Sequence, residues 1–251
     1  MYEKIAKRIV NESLSVNKKD AVVINTWQHT IDFADALALE CRKIGADVMV
    51  TLSTDKTFYG VVQDLPNEHV KTPAKLTLGL LDAETIEINI SGPEDPSFLK
   101  KIDPEKFLLL QERNSPVNEK FRDRKIRAAS CALGSVTPQR AKTYGLDFNV
   151  WKNEMNAALD VDYRAMNEFG TKLADKLEKT QEVHIKAPSG TDLKFEIQGR
   201  PVHILDGVVD QDDISKASFL TDLPAGYVIL APIETSANGK VIFDLPQAVQ
   251  G

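Results

Sequence analysis

Cysteine is scarce in this sequence, with two in 251 residues. Cys41 and Cys131 lie far apart in apolar surroundings, and no Cys-x-x-Cys occurs. That excludes a small disulfide-stapled fold and predicts two buried free thiols in a reducing cytoplasm. The four histidines (His29, His69, His184, His203) are widely spaced and no His-Glu-x-x-His is present, so there is no local zinc motif. A Gly-x-Gly-x-x-Gly phosphate loop and a Gly-x-Ser-x-Gly nucleophile elbow are both missing. No apolar run approaches the roughly 20 residues that span a bilayer. The opening MYEKIAKRIVNE is amphipathic, without the apolar core of a signal peptide. Positive charge is also short, at a net −6. That balance argues against nucleic acid or an anionic membrane as partner.

What is present is the make-up of a water-soluble globular chain, 42% hydrophobic and 27% charged. Its length suffices for one large domain or two modest ones. The first part alternates helix and strand. Tyr2, Ile5, Ile9 and Val16 lie near one helical face. Ala21 to Asn25 is a β-branched apolar run that suits a buried strand. Thr30 caps a helix whose Ile31, Ala34, Ala38, Cys41 and Ile44 share one side, and Gly45 ends it. Asp47 to Ser53 reads as the next strand, completing a right-handed β-α-β unit. Further strands are expected at Thr85 to Ser91 and Arg127 to Leu133. A helix is interrupted or started at Pro73, another begins near Pro104, and a short one is capped at Thr137-Pro138. A stripe from Phe148 to Leu177 predicts one long helix, kinked near Asp160 and packed in the core. After about Thr180 the helical period fades. Val183 to Lys186 and Leu193 to Ile197 flank a Pro/Gly turn and read as a hairpin. The expected fold is therefore α/β. An open, mainly parallel sheet with flanking helices occupies residues 1–180, and a partial β-rich domain occupies 181–251.

Several clusters invite a functional reading and have a plainer one. The turn Asn25 to Thr30 precedes a helix N-terminus, where open α/β sheets bind ligands. Trp27 and His29 are too bulky there for close approach to a pyrophosphate, so a contact loop is the better reading. Arg113, Arg122, Arg124 and Arg127 with Lys120 and Lys125 could hold a phosphate, but a solvated helix face accounts for them. Asp206, Asp210, Asp212 and Asp213 lack the order of a calcium loop and read as an acidic turn, with His184 and His203 as ordinary strand residues. Ser189 and Thr191 are turn residues, with no nucleophile-base pair beside them.

Gly190-Thr191-Asp192-Leu193 and Phe195 to Arg200, followed by Asp206-Gly207, form one block of a recognisable pattern. Leu223-Pro224-Ala225-Gly226, Ala231-Pro232-Ile233-Glu234 and Ser236-Ala237-Asn238-Gly239 form a second. The stretch Val16 to Ile24, the step Gly45 to Val48 and the run Thr137 to Ala141 add weaker matches. Together they resemble the aminopeptidase T family of thermophilic metallo-aminopeptidases, over nearly the whole chain. The resemblance implies hydrolysis of N-terminal residues from peptides by a pair of divalent ions (zinc, cobalt or manganese), which activate water and stabilise the oxyanion. It also implies that the first metal ligand is the glutamate of a Gly-Glu-Val step. Here that step reads Gly226-Tyr227-Val228, and a neutral phenol is a poor substitute. Glu234 matches the family's own Ala-Pro-x-Glu and is not a ligand. The other family ligands lie beyond Gly251, so these 251 residues are expected to hold no complete metal site of their own, or to bind no metal. Two alternatives stand beside the peptidase reading. One is a non-catalytic scaffold or small-molecule binding module. The other is a branch related to iron-dependent, ring-opening hydroxypyridine dioxygenases. A second domain left partial would expose an edge or an apolar patch, which predicts a homodimer.

Overall fold

The computed structural model describes residues 1–243. These fall into two compact units, residues 1–160 with 207–224, and residues 161–206 with the segment that begins at Ala225. The chain passes between these units three times.

In the first unit, α1 (Tyr2–Arg8) continues as a π-helical turn over Ile9–Ser13. Then come β1 (Ala21–Trp27), α2 (Ile31–Ile44) and β2 (Asp47–Ser53). Three helices follow, α3 (Asp55–Gln63), α4 (Asn67–Val70) and α5 (Lys75–Leu80), the last two separated around Pro73. β3 (Ile86–Ile90), α6 (Pro104–Asp123), β4 (Arg127–Cys131), α7 (Pro138–Tyr144) and α8 (Phe148–Leu159) complete the run before the chain leaves the unit. It returns with α10 (Gln211–Ser215) and β8 (Leu220–Leu223). Between these lie α9 (Tyr163–Glu178), β5 (Glu182–Lys186), β6 (Asp192–Glu196) and β7 (His203–Leu205), followed later by β9 (Tyr227–Ile229) and β10 (Asn238–Lys240).

The central sheet has five strands in the order β2-β1-β3-β4-β8, every pairing parallel. Val22, Ile24, Ile86, Ile88 and Cys131 are buried on one face of it. α2 packs along β1 and β2 and buries Phe33, Ala34, Leu37 and Cys41. Phe33 and Leu37 each contribute about 1.5–3 kcal/mol by leaving water. Gly45 ends α2 in the left-handed conformation, at φ 92°. Both cysteines are buried and free, and burial pushes each thiol up to about 12.

The structure redraws several local expectations. The long helix of the Phe148–Leu177 stripe is two helices, because Asp160 closes α8 and Asp162 caps α9 through the backbone N–H groups of Arg164 and Ala165. Leu220–Leu223, of which only Leu223 belongs to a motif block, is the fifth strand of the central sheet. β10 begins within the Ser-Ala-Asn-Gly motif itself. The basic cluster is a solvated face at Arg122, Arg124 and Lys125, which are exposed, but several of its cations also bond to carbonyls. Arg113 Nε donates to Thr72 O at 2.9 Å, Lys120 Nζ to Leu78 O at 2.8 Å, and Arg124 Nη2 to Asp82 O at 2.9 Å. Three cations of one helix thus satisfy carbonyls at and just beyond the ends of α4 and α5, where helices lack internal donors.

Arg127 lies elsewhere, in an ion pair at the N-terminal edge of the sheet. Its Nη2 stands 2.9 Å from Asp20 Oδ1, and its guanidinium also reaches Leu14 O. Thr85 Oγ1 donates to Asp20 Oδ1 at 3.0 Å, and the backbone and side chain of Asn17 both donate to Oδ2. Asp20 is 7% exposed, so its carboxylate depends on these partners. Asp20→Ala is expected to lower stability by about 3 kcal/mol, because it strands Arg127 in a poorly hydrated site. Urea unfolding of the variant checks this.

Glu84, just before β3, is 2% exposed, and its Oε1 has no hydrogen-bond partner. Burial first and the charge of Glu87 second push its carboxyl up to about 8. The folded state then holds a proton that the unfolded chain releases near the ordinary 4.5. Stability is therefore full below that value and falls as pH rises toward about 8. Glu84→Gln is expected to abolish this fall, which urea midpoints measured across the interval would register.

Candidate functional site

Tyr227 opens β9, which pairs antiparallel with β7 in the register Leu205↔Tyr227, Ile204↔Val228 and His203↔Ile229. Gly226 precedes it at φ 115°, a conformation open to glycine, and its N–H donates to Leu205 O at 2.9 Å. The ribbon rests on α9, where Gly170 admits Ile204, since a Cβ on Gly170 would stand 2.7 Å from Ile204 Cγ2. Tyr227 is 51% exposed. Directly opposed residues in an antiparallel pair share a face. Tyr227, Ile229, Leu205 and His203 therefore stand on one side of the ribbon, which supplies a phenol and an imidazole but no carboxylate.

The two motif blocks prove to be partners. β10 pairs with β6 in the register Gly239↔Leu193, so Ser-Ala-Asn-Gly lies against Gly-Thr-Asp-Leu. Ser236 Oγ accepts from Glu196 N at 2.9 Å and donates to Ile233 O at 2.6 Å. Ile233 N donates to Glu196 O at 2.8 Å, and Thr191 Oγ1 accepts from Ile242 N at 3.0 Å. Arg200 forms an ion pair with Glu234. The carboxyl of Glu234 is held below its ordinary value, first by its own backbone N–H and then by Arg200. Gly239 is φ 124°, and a Cβ there would stand 2.0 Å from Asp192 O.

The remaining sequence candidates are engaged locally. His184 Nε2 stands 2.7 Å from Asp192 Oδ1 across the β5–β6 hairpin. Asp206 accepts from Asn167 Nδ2 at 2.6 Å. Asp210 caps α10 through the N–H groups of Asp212 and Asp213, and Asp213 returns the bond to Asp210 N. The acidic turn is thus a capping box. In the first unit, His29 Nε2 donates to Gly134 O at 2.8 Å, and Thr26 and Thr30 hydroxyls meet at 2.8 Å. Gly134 approaches so closely that a Cβ on it would stand 2.5 Å from Ser91 O. At this point of the carboxyl edge of β1 and β3 the backbone of Gly134 stands directly against that of Ser91.

Among the described residues, no group of three or more His, Cys, Asp or Glu stands together as a metal site would require. The donors beside Tyr227 do not fit a divalent ion, whose usual oxygen and nitrogen ligands are several and convergent.

The fold and these pairings define an α/β framework with a smaller antiparallel unit, the class to which two solved structures also belong. Wild-type AmpT, the aminopeptidase T of Thermus thermophilus, matches 95% of this chain with a TM-score of 0.74 and 21% identity. 2,5-Dihydroxypyridine dioxygenase from Pseudomonas putida KT2440 matches 95% with a TM-score of 0.56 and 12% identity. The chain spans 63% and 57% of the lengths of those proteins. No protein with a curated description matches the sequence. The profile of the thermophilic metalloprotease (M29) family matches residues 1–251, and the chain belongs to that family. Divalent metal ions and peptide substrates are what the family implies. Among the described residues, no helix is long and apolar enough to cross a membrane.

The close approach at Gly239 yields a direct test. Gly239→Ala is expected to cost more than about 1 kcal/mol, since both its φ and its contact with Asp192 O are incompatible with a side chain. Hydrogen exchange should show protection lost on β6 and β10 while the central sheet keeps its own.

Proposed function

We propose that the chain is a relative of metal-dependent aminopeptidases whose 251 residues supply the framework but do not by themselves assemble a two-metal site. The observation that carries this reading is Tyr227. It stands at the position of the family's first metal-ligating glutamate, with no carboxylate on its face of the β7–β9 ribbon. Membership of the metalloprotease family supports the kinship. Zinc, cobalt or manganese would be the ions of the complete site, and no step of the reaction is assigned to residues of this chain. The exposed ring of Tyr227 and the half-exposed Ile229 suit association of two copies as a homodimer. The buried free thiols suit a reducing cytoplasm. We also propose a division into an α/β domain over 1–180 and a partial β-rich domain over 181–251.

The purified chain is expected to show no chelator-sensitive hydrolysis of an aminoacyl-nitroanilide with added cobalt, zinc or manganese. Tyr227→Glu is expected not to restore it. Turnover by the unaltered chain that a chelator abolishes would refute the reading. A second reading, the ring-opening dioxygenase branch, draws on Tyr227 as well, since that branch does not need the glutamate. Oxygen consumption with a hydroxypyridine and ferrous iron would favour it. If both assays are silent, a scaffold or binding module remains.

A further inference from the structure

The two faces of the central sheet differ in chemistry. One is the apolar core described above. On the other, the strand register aligns Thr51, Asn25, Asn89, Ser130 and Asp222, one from each strand, in a single transverse row. Parallel sheets are ordinarily apolar on both faces because helices cover both. All five residues of this row keep partial exposure. Thr51 Oγ1 donates to Asn25 Oδ1 at 2.5 Å, Asn25 Nδ2 to Asn89 Oδ1 at 2.8 Å, and Asn89 Nδ2 to Glu87 Oε1 at 2.6 Å. The relay of donors runs one way and ends on the carboxylate of Glu87. Hydrogen bonds chained in this manner polarise one another and fix the orientation of their last acceptor.

Glu87 and Asn89 form part of the floor of an open groove of about 420 Å³. Asn118, Phe121 and Arg122 of α6 also line it, as does the segment from Ala217 to Leu220. The groove lies wholly within the first unit. Glu87 Oε2 has no hydrogen bond among the described residues, and neither has the Arg122 guanidinium. Arg122 differs in this from Arg113, Lys120 and Arg124 of the same helix, all of which cap carbonyls. Glu87 and Arg122 line one groove without pairing with each other, and Phe121 and Phe219 add apolar surface.

We propose that this groove binds a zwitterionic α-amino acid with an apolar side chain, Glu87 receiving the ammonium group and Arg122 the carboxylate. A simple cation would leave Arg122 unanswered and face its charge. A simple anion would meet the same difficulty at Glu87. A molecule carrying both charges completes both groups, and a few placed polar groups on an apolar lining are the usual make-up of a small-molecule site. The site contains no residue of the β7–β9 ribbon and requires no metal, so it stands or falls apart from the peptidase reading.

Calorimetric titration of the 251-residue chain in the presence of a chelator tests it, with L-leucine, leucinamide and N-acetyl-L-leucine as probes. L-Leucine should bind, and the two singly charged analogues should bind at least about tenfold more weakly. Glu87→Gln and Arg122→Met should each weaken L-leucine by about tenfold or more, with the fold verified by circular dichroism. Arg122 is an exposed helix residue, so its variant keeps the test valid should Glu87→Gln fail to fold. The proposal is overturned if L-leucine shows no binding up to about 10 mM. It is equally overturned if the analogues bind as well as L-leucine, or if Arg122→Met leaves L-leucine binding unchanged.

Discussion

The ion pair between Asp20 and Arg127 is the constraint on which the central sheet depends. Asp20 immediately precedes β1, Thr85 immediately precedes β3, and Arg127 opens β4. One carboxylate thereby gathers three strands at their starts, across 65 and 107 residues of chain. A parallel sheet gains its contacts only after long crossovers close, so an anchor of this reach offsets entropy that local turns cannot. It also sets register. A slip of one residue in β4 would carry Arg127 to the opposite face, away from Asp20. The alignment of Thr51, Asn25, Asn89, Ser130 and Asp222 follows from that register, as does the apolar stack beneath α2.

What the sequence revealed and what it hid divide along the same line. Elements specified by their own residues were legible. β1 and β3 announce themselves by β-branched runs, α2 by its stripe and Gly45, and α7 by the Thr137 cap, which accepts from Arg140 N at 3.1 Å. Elements specified by distant partners were not. Leu220–Leu223 is short and lacks an alternating pattern, with two polar residues side by side, and only its pairing with β4 makes it a strand. β10 lies on residues with turn chemistry, held by β6 rather than by propensity. The basic residues of α6 carry no mark of the carbonyls they satisfy, which belong to helices some 40 residues earlier in the chain. The polar row is hidden for the same reason. Asn25 and Asn89 are each unremarked within a strand, and their alignment exists only once five registers are fixed.

The residues that carry the family resemblance have a structural role that the sequence did not disclose. Gly190 to Arg200 and Glu234 to Gly239 are far apart in the chain but form one knot, through Arg200 with Glu234, Glu196 with Ser236, and Leu193 with Gly239. Such a knot keeps its residue types for packing and backbone geometry, independently of any reaction. Gly239 is required by the carbonyl of Asp192. Glu234 answers Arg200, and Ser236 fills one donor and one acceptor of neighbouring backbone. None of these needs a metal to explain it.

Kinship and chemistry can therefore diverge at a single position without disturbing the frame. Tyr227 sits half-exposed at the start of β9, after a glycine whose positive φ turns the chain toward Leu205. Its neighbours are fixed by the β7–β9 register and by α9, and exposed ribbon positions tolerate a change of side chain with little effect on stability. A framework that holds such a position rigid while leaving its side chain free is the arrangement in which one fold serves several chemistries. The structural demands of the knot account for the resemblance, and the exposure of Tyr227 suits the departure proposed there.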